Sequence, residues 1–209
     1  MVTFSLPAGN VDVSAEVSVT VLYGAQTSRR RDAQRNRAAI LQAAGEVMSG
    51  RESVPLMPEV ARRAGVGQAT LYRHFPDRYV LAASVIGDLL HQLEATAAAN
   101  AGRPAMFRLL LREVLDNLVV MRPLVRLAQR LDPGARRRYQ QRIVAAFAEP
   151  LRCAQEHGYV REDLGPDDLI LLLTMVRGAA DGTDDEAASR AAGDRSIDLV
   201  LDGVFRRDP

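Results

Sequence analysis

The sequence predicts an all-α protein, and composition and apolar spacing support this prediction. Hydrophobic residues make up 47% of the 209 residues, but aromatic residues only 5%, and Trp is absent. A core rich in Leu and Ala with so few strand-forming side chains favours helices. From Arg31 onwards the apolar side chains recur at helical spacing, beginning with Ala38, Leu41, Gly45 and Met48. The length allows one domain, or a small domain joined to a larger one.

Positive charge is concentrated in one segment of the chain. Every basic residue is arginine, and residues 29–78 hold ten arginines against five acids, whereas the net charge of the whole chain is only +1. A basic segment in an otherwise mildly acidic protein is typical of a module that binds a polyanion. A solvated arginine-rich surface would have the same composition, so charge alone leaves both interpretations open.

Several classes of function lack support in the sequence. The single cysteine, Cys153, excludes an internal disulfide and fits a reducing compartment. No apolar run reaches the roughly 18–20 residues of a membrane span, and the first 28 residues do not resemble a signal peptide. Phosphate-binding glycine loops and hydrolase motifs are absent, and His91 and His157 are interpreted as structural or solvent-facing residues rather than metal ligands. We therefore expect a cytoplasmic protein that is not an enzyme, with no catalytic residue, metal or cofactor.

The first 28 residues differ from the rest of the chain. Valines at positions 11, 13, 17, 19 and 21 alternate as in a strand, but no second strand is evident to pair with them. We therefore predict that residues 1–28 are a mobile N-terminal extension that is dispensable for folding.

Two short helices separated by a glycine turn are predicted over residues 58–74. The first covers residues 58–64 and stops at Gly65, and the second covers residues 68–74. This arrangement is a helix-turn-helix, in which the second helix enters the major groove of DNA. A two-turn helix with one apolar side chain, Leu71, gains little from packing, so its polar face is expected to serve a partner. That face carries Gln68, Thr70, Tyr72, Arg73 and His74.

The same segment resembles a known family. Residues 59–78, EVARRAGVGQATLYRHFPDR, are similar to the DNA-binding signature of TetR-type transcription regulators, and residues 40–44, ILQAA, resemble that family's first helix. The resemblance covers about residues 30–82. It implies a three-helix DNA-binding domain over residues 29–80 and a helical-bundle domain for ligand sensing and dimerisation over residues 81–209.

The resemblance also implies roles for individual residues. Gln68 and Ala69 would contact base edges, since glutamine can pair with adenine and an alanine methyl can contact thymine. Other side chains would hold phosphates and so fix the register without reading sequence. The phosphate ligands would be Thr70, Tyr72, His74 and Arg78; Arg73 would reach a base or the backbone; and Arg29, Arg30, Arg31, Arg35 and Arg37 would reach a phosphate or the minor groove. An ordinary core-edge position is the alternative for Tyr72 and His74.

The second helix departs from the family pattern at its start. The family usually has Ser or Thr there, but this chain has Leu56 and Met57, and Pro58 stands where a relative reads a guanine. Base reading should therefore depend more on the recognition helix. The departures also leave an alternative function open, a helical interaction protein of the same fold that has lost specific DNA binding.

The C-terminal region is predicted to bind a ligand and a second copy of the chain. Helices are expected at about 104–120, 134–157, 166–181 and 195–206, with residues 182–194 as a linker. The expected function is a homodimeric repressor that a small-molecule effector releases from an operator, which is an inverted repeat in double-stranded DNA. The predicted cavity residues are Met106, Phe107, Leu110, Met121, Phe147 and Met175, and the predicted dimer residues are Leu169, Leu172, Leu173, Val176, Ile197, Val200, Leu201 and Val204.

Overall fold

The computed structural model describes residues 13–49, 56–182 and 185–205, with side chains from Arg31 onwards. The predicted all-α class is confirmed, since these residues form helices joined by short loops and only an isolated bridge of β type joins Val160 to Phe205. No helix in these ranges is long and apolar enough to cross a membrane. The helices are α1 Val13–Met48, α2 Met57–Arg63, α3 Gln68–His74, α4 Arg78–Ala99, α5 Met106–Val120, α6 Arg122–Gln129, α7 Pro133–Glu156, α8 Pro166–Ala180 and α9 Glu186–Val204.

The first helix begins earlier than the sequence pattern predicts. Helix α1 starts at Val13, 18 residues before the start at Arg31 that the helical spacing indicates. The strand-like alternation of valines therefore does not correspond to a strand. Alternation alone does not specify a strand when no partner strand is available to satisfy its backbone. Val11 and the rest of residues 1–12 lie outside the described residues.

Deleting residues 1–28 is expected to leave folding intact. Among the side chains of α1 that the structure describes, from Arg31 onwards, burial begins at Ile40 and continues through Ala43, Ala44 and Met48. We therefore expect the melting temperature of the truncated protein to stay within about 2–4 °C of the full chain, the shift that 1 kcal/mol causes at this size. A larger loss in a calorimetric comparison would show that the extension packs on the body.

Two hydrophobic cores organise the chain. The N-terminal core contains Ile40, Val60, Leu71 and Phe75, together with the start of α4. The C-terminal core is built from α4, α5, α7, α8 and α9. Helix α4 supplies buried side chains to both cores, so the predicted domain boundary at residue 80/81, which stays a prediction, falls inside one continuous helix.

Helix α6 also belongs to the N-terminal core. No helix is predicted between the expected helices at about 104–120 and 134–157, but Arg122–Gln129 form this short helix. Leu124 and Leu127 on its buried face pack into the N-terminal core, although they follow it by about 40 residues in the chain. The C-terminal region therefore reaches back to support the first three helices.

Residues 182–194 are not a linker as predicted, because α9 begins at Glu186. The carboxylate of Asp185 caps the helix by accepting hydrogen bonds from the backbone N–H groups of Ala187 and Ala188. The buried hydroxyl of Ser189 donates to the carbonyl of Ala180 in α8. At Gly193 a Cβ would lie 2.8 Å from a methyl carbon of Val119, so the helix packs closely on α5. The small residues of this segment serve close packing.

Candidate DNA-binding site and ligand cavity

The turn between α2 and α3 is fixed by a glycine in the left-handed region. Gly65 has φ +66°, a conformation that L side chains rarely adopt. Its N–H donates to the Arg62 carbonyl at 3.2 Å, and the N–H of Val66 donates to the Ala61 carbonyl at 3.0 Å. This pair of bonds is the Schellman motif, which ends α2 and sets the direction of α3.

Helix α3 is attached to the body through one side chain. Leu71 is fully buried in the N-terminal core, whereas Gln68 and Ala69 are exposed and Tyr72 is 44% exposed. Exposed residues therefore occupy the N-terminal end of the helix, where a recognition helix contacts base edges.

Three predicted DNA ligands on α3 differ in their surroundings. Arg73 is exposed and donates to the hydroxyl of half-buried Thr70 at 3.3 Å, so the guanidinium lies along the helix. His74 is half-buried, and its Nε2 is buried without a hydrogen-bond partner among the described residues. Of the two ring nitrogens, Nδ1 is therefore the one that we expect to face a phosphate.

The connection from α3 to α4 is rigid. Phe75 is fully buried, and the carboxylate of Asp77 caps α4 by accepting from the N–H groups of Tyr79 and Val80 at 2.7 and 2.9 Å. Asp77 is therefore the N-cap of α4, not a residue of its first turn, where a carboxylate would also be favourable. Arg78 follows as an exposed first residue, in the position expected of a phosphate ligand.

The arginines of α1 do not all point outwards. The Arg37 guanidinium lies 4.8 Å from the centre of the Phe75 ring and donates to the Ser84 hydroxyl, so it braces α3 and α4. Arg31 is exposed, and exposed Arg35 pairs with Asp32 at 2.6 Å. The side chains of Arg29 and Arg30 lie outside the described ones.

Helix α2 starts without a side-chain cap. Leu56 occupies the N-cap position with extended backbone angles, makes no side-chain cap bond and is 67% exposed. Met57 is buried, and Pro58 lies in the first turn, where proline is tolerated. The sequence lacks the Ser or Thr that usually caps this helix. The backbone at this position nevertheless has the extended angles of an N-cap residue.

Leu56→Thr is expected to raise the free energy of unfolding by about 1 kcal/mol, because a threonine hydroxyl at the N-cap would accept a second hydrogen bond from the N–H of Glu59, which donates to the Leu56 carbonyl at 2.9 Å. Glu59, three residues on, completes the pattern of a capping box. Chemical denaturation of the Leu56→Thr and Leu56→Ala variants measures the effect, and equal stability of the two would contradict it.

A mainly apolar cavity of about 270 Å³ opens between α4, α5, α6, α7 and α8. Its apolar walls include Leu90, Leu93, Val114, Leu124 and Ile143. Arg142 on α7 donates two hydrogen bonds, of 2.7 and 2.8 Å, to Glu94 on α4 beside this cavity, and these bonds lower the pKa of the Glu94 carboxyl. The polar groups that line the cavity are Gln92, Glu113, Asn117, Gln129, Arg136, Tyr139, Gln140, Thr174 and Arg177.

Only one of the six predicted cavity residues, Met121, lines this cavity. Phe107 and Phe147 pack edge to face with ring centres 5.8 Å apart, and they are core residues, as is Leu110. Met106 is half-buried away from the cavity, and Met175 is 54% exposed on α8. The residue types alone could not say which face of α5 borders empty space.

The predicted dimer residues are mostly covered by the chain's own core. Seven of the eight are buried there, and Leu172 is half-buried against it, so they are not available to a partner. The apolar side chains that α8 and α9 leave exposed are different ones, Leu171, Met175 and Leu199. A helix that is apolar on nearly all sides can bury one face in its own core, and no pattern in the sequence indicates which face that is. The buried seven are Leu169, Leu173, Val176, Ile197, Val200, Leu201 and Val204.

Two family comparisons cover most of the chain. Residues 40–85 match the family described as bacterial regulatory proteins of the tetR family, and residues 103–206 match the C-terminal domain of SbtR-like transcriptional regulators. A comparison with curated proteins gives no match.

Solved structures of similar proteins also cover most of the chain. A TetR regulatory protein from Mycobacterium vanbaalenii is 27% identical, with a TM-score of 0.60 over 85% of this chain and 99% of that chain. A TetR regulator from Streptomyces coelicolor, SCO0520, is 26% identical, with a TM-score of 0.57 over 82% of this chain and 99% of that chain.

An exposed recognition helix on a braced helix-turn-helix defines a DNA-binding transcription regulator. The chain belongs to the TetR family, as the matches to both of its parts establish.

Proposed function

We propose that this protein is a homodimeric repressor, which holds an inverted-repeat operator and releases it when a small molecule binds the cavity. One observation supports this proposal above the others. Leu124 of α6 both lines the cavity and packs in the core that carries the recognition helix. A ligand in the cavity would therefore press on a side chain that supports the DNA-binding helices.

Helix α4 offers a second connection between the two sites. Its Asp77 cap directly follows the recognition helix, and its later residues Leu89, Leu90 and Leu93 line the cavity. A ligand changes DNA affinity only if it binds one arrangement of the heads better than another. We propose that the ligand-bound and DNA-bound states differ in the position of α4 relative to α6.

Exposed apolar residues on α8 and α9 support the proposed dimer. Leu171, Met175 and Leu199 are each more than half exposed, at 57%, 54% and 56%. A second copy would cover them with an identical pair of helices and form a two-fold four-helix bundle. The two recognition helices would then lie about 34–36 Å apart, or a multiple of this, to match two half-sites.

Salt dependence of DNA binding separates this function from the alternative of a helical interaction protein. The test uses a palindromic fragment from beside the protein's own gene. A repressor that neutralises several phosphates should lose roughly 1,000-fold in affinity between 50 and 200 mM salt. Failure to bind the palindrome better than a scrambled duplex would favour the interaction protein.

Gln68→Ala is expected to relax the base preference at one position of each half-site, at a cost of about 1–3 kcal/mol. Gln68 is exposed at the start of α3, where its amide could pair with an adenine. Measured binding to all single-base operator variants checks this, with Gln141→Ala, an exposed residue of α7 that does not line the cavity, as a control. A base-preference profile identical to that of the wild type would contradict the assignment.

A further inference from the structure

Two arginines that line the cavity have no acidic partner among the described residues, whereas the other half-buried arginines lie close to a carboxylate. Four arginines are half-buried among the described side chains. Arg142 is bonded to Glu94 through two hydrogen bonds, and Arg122 lies 3.8 Å from a carboxylate oxygen of Asp181, the residue that follows α8. The other two, Arg136 and Arg177, form no ion pair with any described residue, and both line the cavity.

This arrangement has an electrostatic consequence. A guanidinium beside apolar walls loses part of its hydration, and the loss is offset only when an anion pairs with it. The cavity lining contains two cationic side chains but only one acidic one, Glu113, which is exposed. The remaining polar lining groups are neutral amides and hydroxyls. The cavity therefore has an excess of positive charge that a bound anion would balance.

We infer that the effector is a small anionic amphiphile, with a carboxylate or similar oxyanion head and an apolar body. Arg136 and Arg177 bind the head, since the guanidinium fork matches the geometry of an oxyanion. The leucine and isoleucine walls bind the body. A volume of about 270 Å³ limits that body to a small molecule. The inference rests on the proposed function of the cavity as the effector site.

A matched pair of fluorescent probes tests the charge of the ligand. 8-Anilinonaphthalene-1-sulfonate and N-phenyl-1-naphthylamine share an apolar body, but only the first carries an anionic group. The wild-type protein is expected to bind the sulfonate about tenfold more tightly than the neutral probe, as charge-assisted hydrogen bonds would provide. The double variant Arg136→Gln/Arg177→Gln should remove this difference and leave neutral-probe affinity unchanged, and the corresponding Lys variants should restore part of it.

Matched controls distinguish the possible failures. Arg137→Gln/Arg138→Gln changes two exposed arginines of the same helix and should alter neither affinity. Equal affinities for the two probes in the wild type, or an unchanged difference in the Arg136→Gln/Arg177→Gln variant, would overturn the anionic effector and leave the cavity as a ligand site.

A second pair of variants tests whether the cavity is the binding site. Ile143→Trp should fill the cavity and displace both probes, whereas Ala145→Trp on the exposed side of α7 should not. If Ile143→Trp folds and still binds both probes, the cavity is not the site and the effector step of the proposed function fails with it.

Discussion

Tyr72→Ala and His74→Ala are each expected to weaken binding about tenfold, whatever the DNA sequence. The reason is that each variant loses roughly one charge-assisted hydrogen bond to a phosphate. Tyr72 is exposed on α3, and His74 ends the same helix with Nδ1 as its available nitrogen. Phosphate contacts carry no sequence information, so operator and random DNA should lose affinity in parallel. Titration of labelled operator and random duplexes with each variant measures both losses.

Tyr159→Ala is the matched control for this prediction. Tyr159 is 48% exposed, close to the exposure of Tyr72, but it follows α7 in the C-terminal region. Its replacement should leave DNA affinity unchanged. Native circular dichroism with undiminished binding in the Tyr72→Ala and His74→Ala variants would remove both side chains from the DNA interface.

Leu171→Arg combined with Leu199→Arg is expected to produce a folded monomer. Both side chains are exposed, so the chain's own core keeps its packing, but two copies would place four positive charges in one apolar interface. The monomer should bind the palindrome about 100-fold more weakly or worse, because the second half-site is no longer held at high effective concentration. Light scattering gives the mass, and titration gives the affinity.

Two further variants serve as controls for the expected monomer. Leu109→Arg, 58% exposed on α5, should leave the dimer intact. Val200→Arg should instead lower the melting temperature, since Val200 belongs to the C-terminal core and an unpaired charge there would be buried. A Leu171→Arg/Leu199→Arg protein that remains dimeric at micromolar concentration would place the interface elsewhere.

The N-terminal part of the fold could be predicted from the sequence because its signals are local. Gly65 requires a left-handed backbone and Leu71 is the single apolar anchor of its helix, so both features are visible within a few neighbouring residues. The recognition helix was placed at Gln68–His74, where the structure has it.

The C-terminal site could not be predicted residue by residue because it depends on tertiary contacts. Phe107 and Phe147 are the same types of residue whether they line a cavity or fill a core, and only the packing of α5 against α7 decides between these roles. Likewise, the small residues before Gly193 suit a linker as well as a close helix contact. Which side of α5 faces the cavity depends on the positions of α4, α6 and α7 around it.

Selection of bound duplexes from a random DNA pool tests the central claim most directly. A two-fold dimer with two recognition helices should enrich an inverted repeat, with half-site centres about 10–10.5 base pairs apart or at a multiple of that spacing. The Leu171→Arg/Leu199→Arg variant run in parallel should enrich at most a single half-site. A wild-type pool that shows no common motif after repeated rounds, or only an unpaired half-site, would contradict a dimeric sequence-specific regulator.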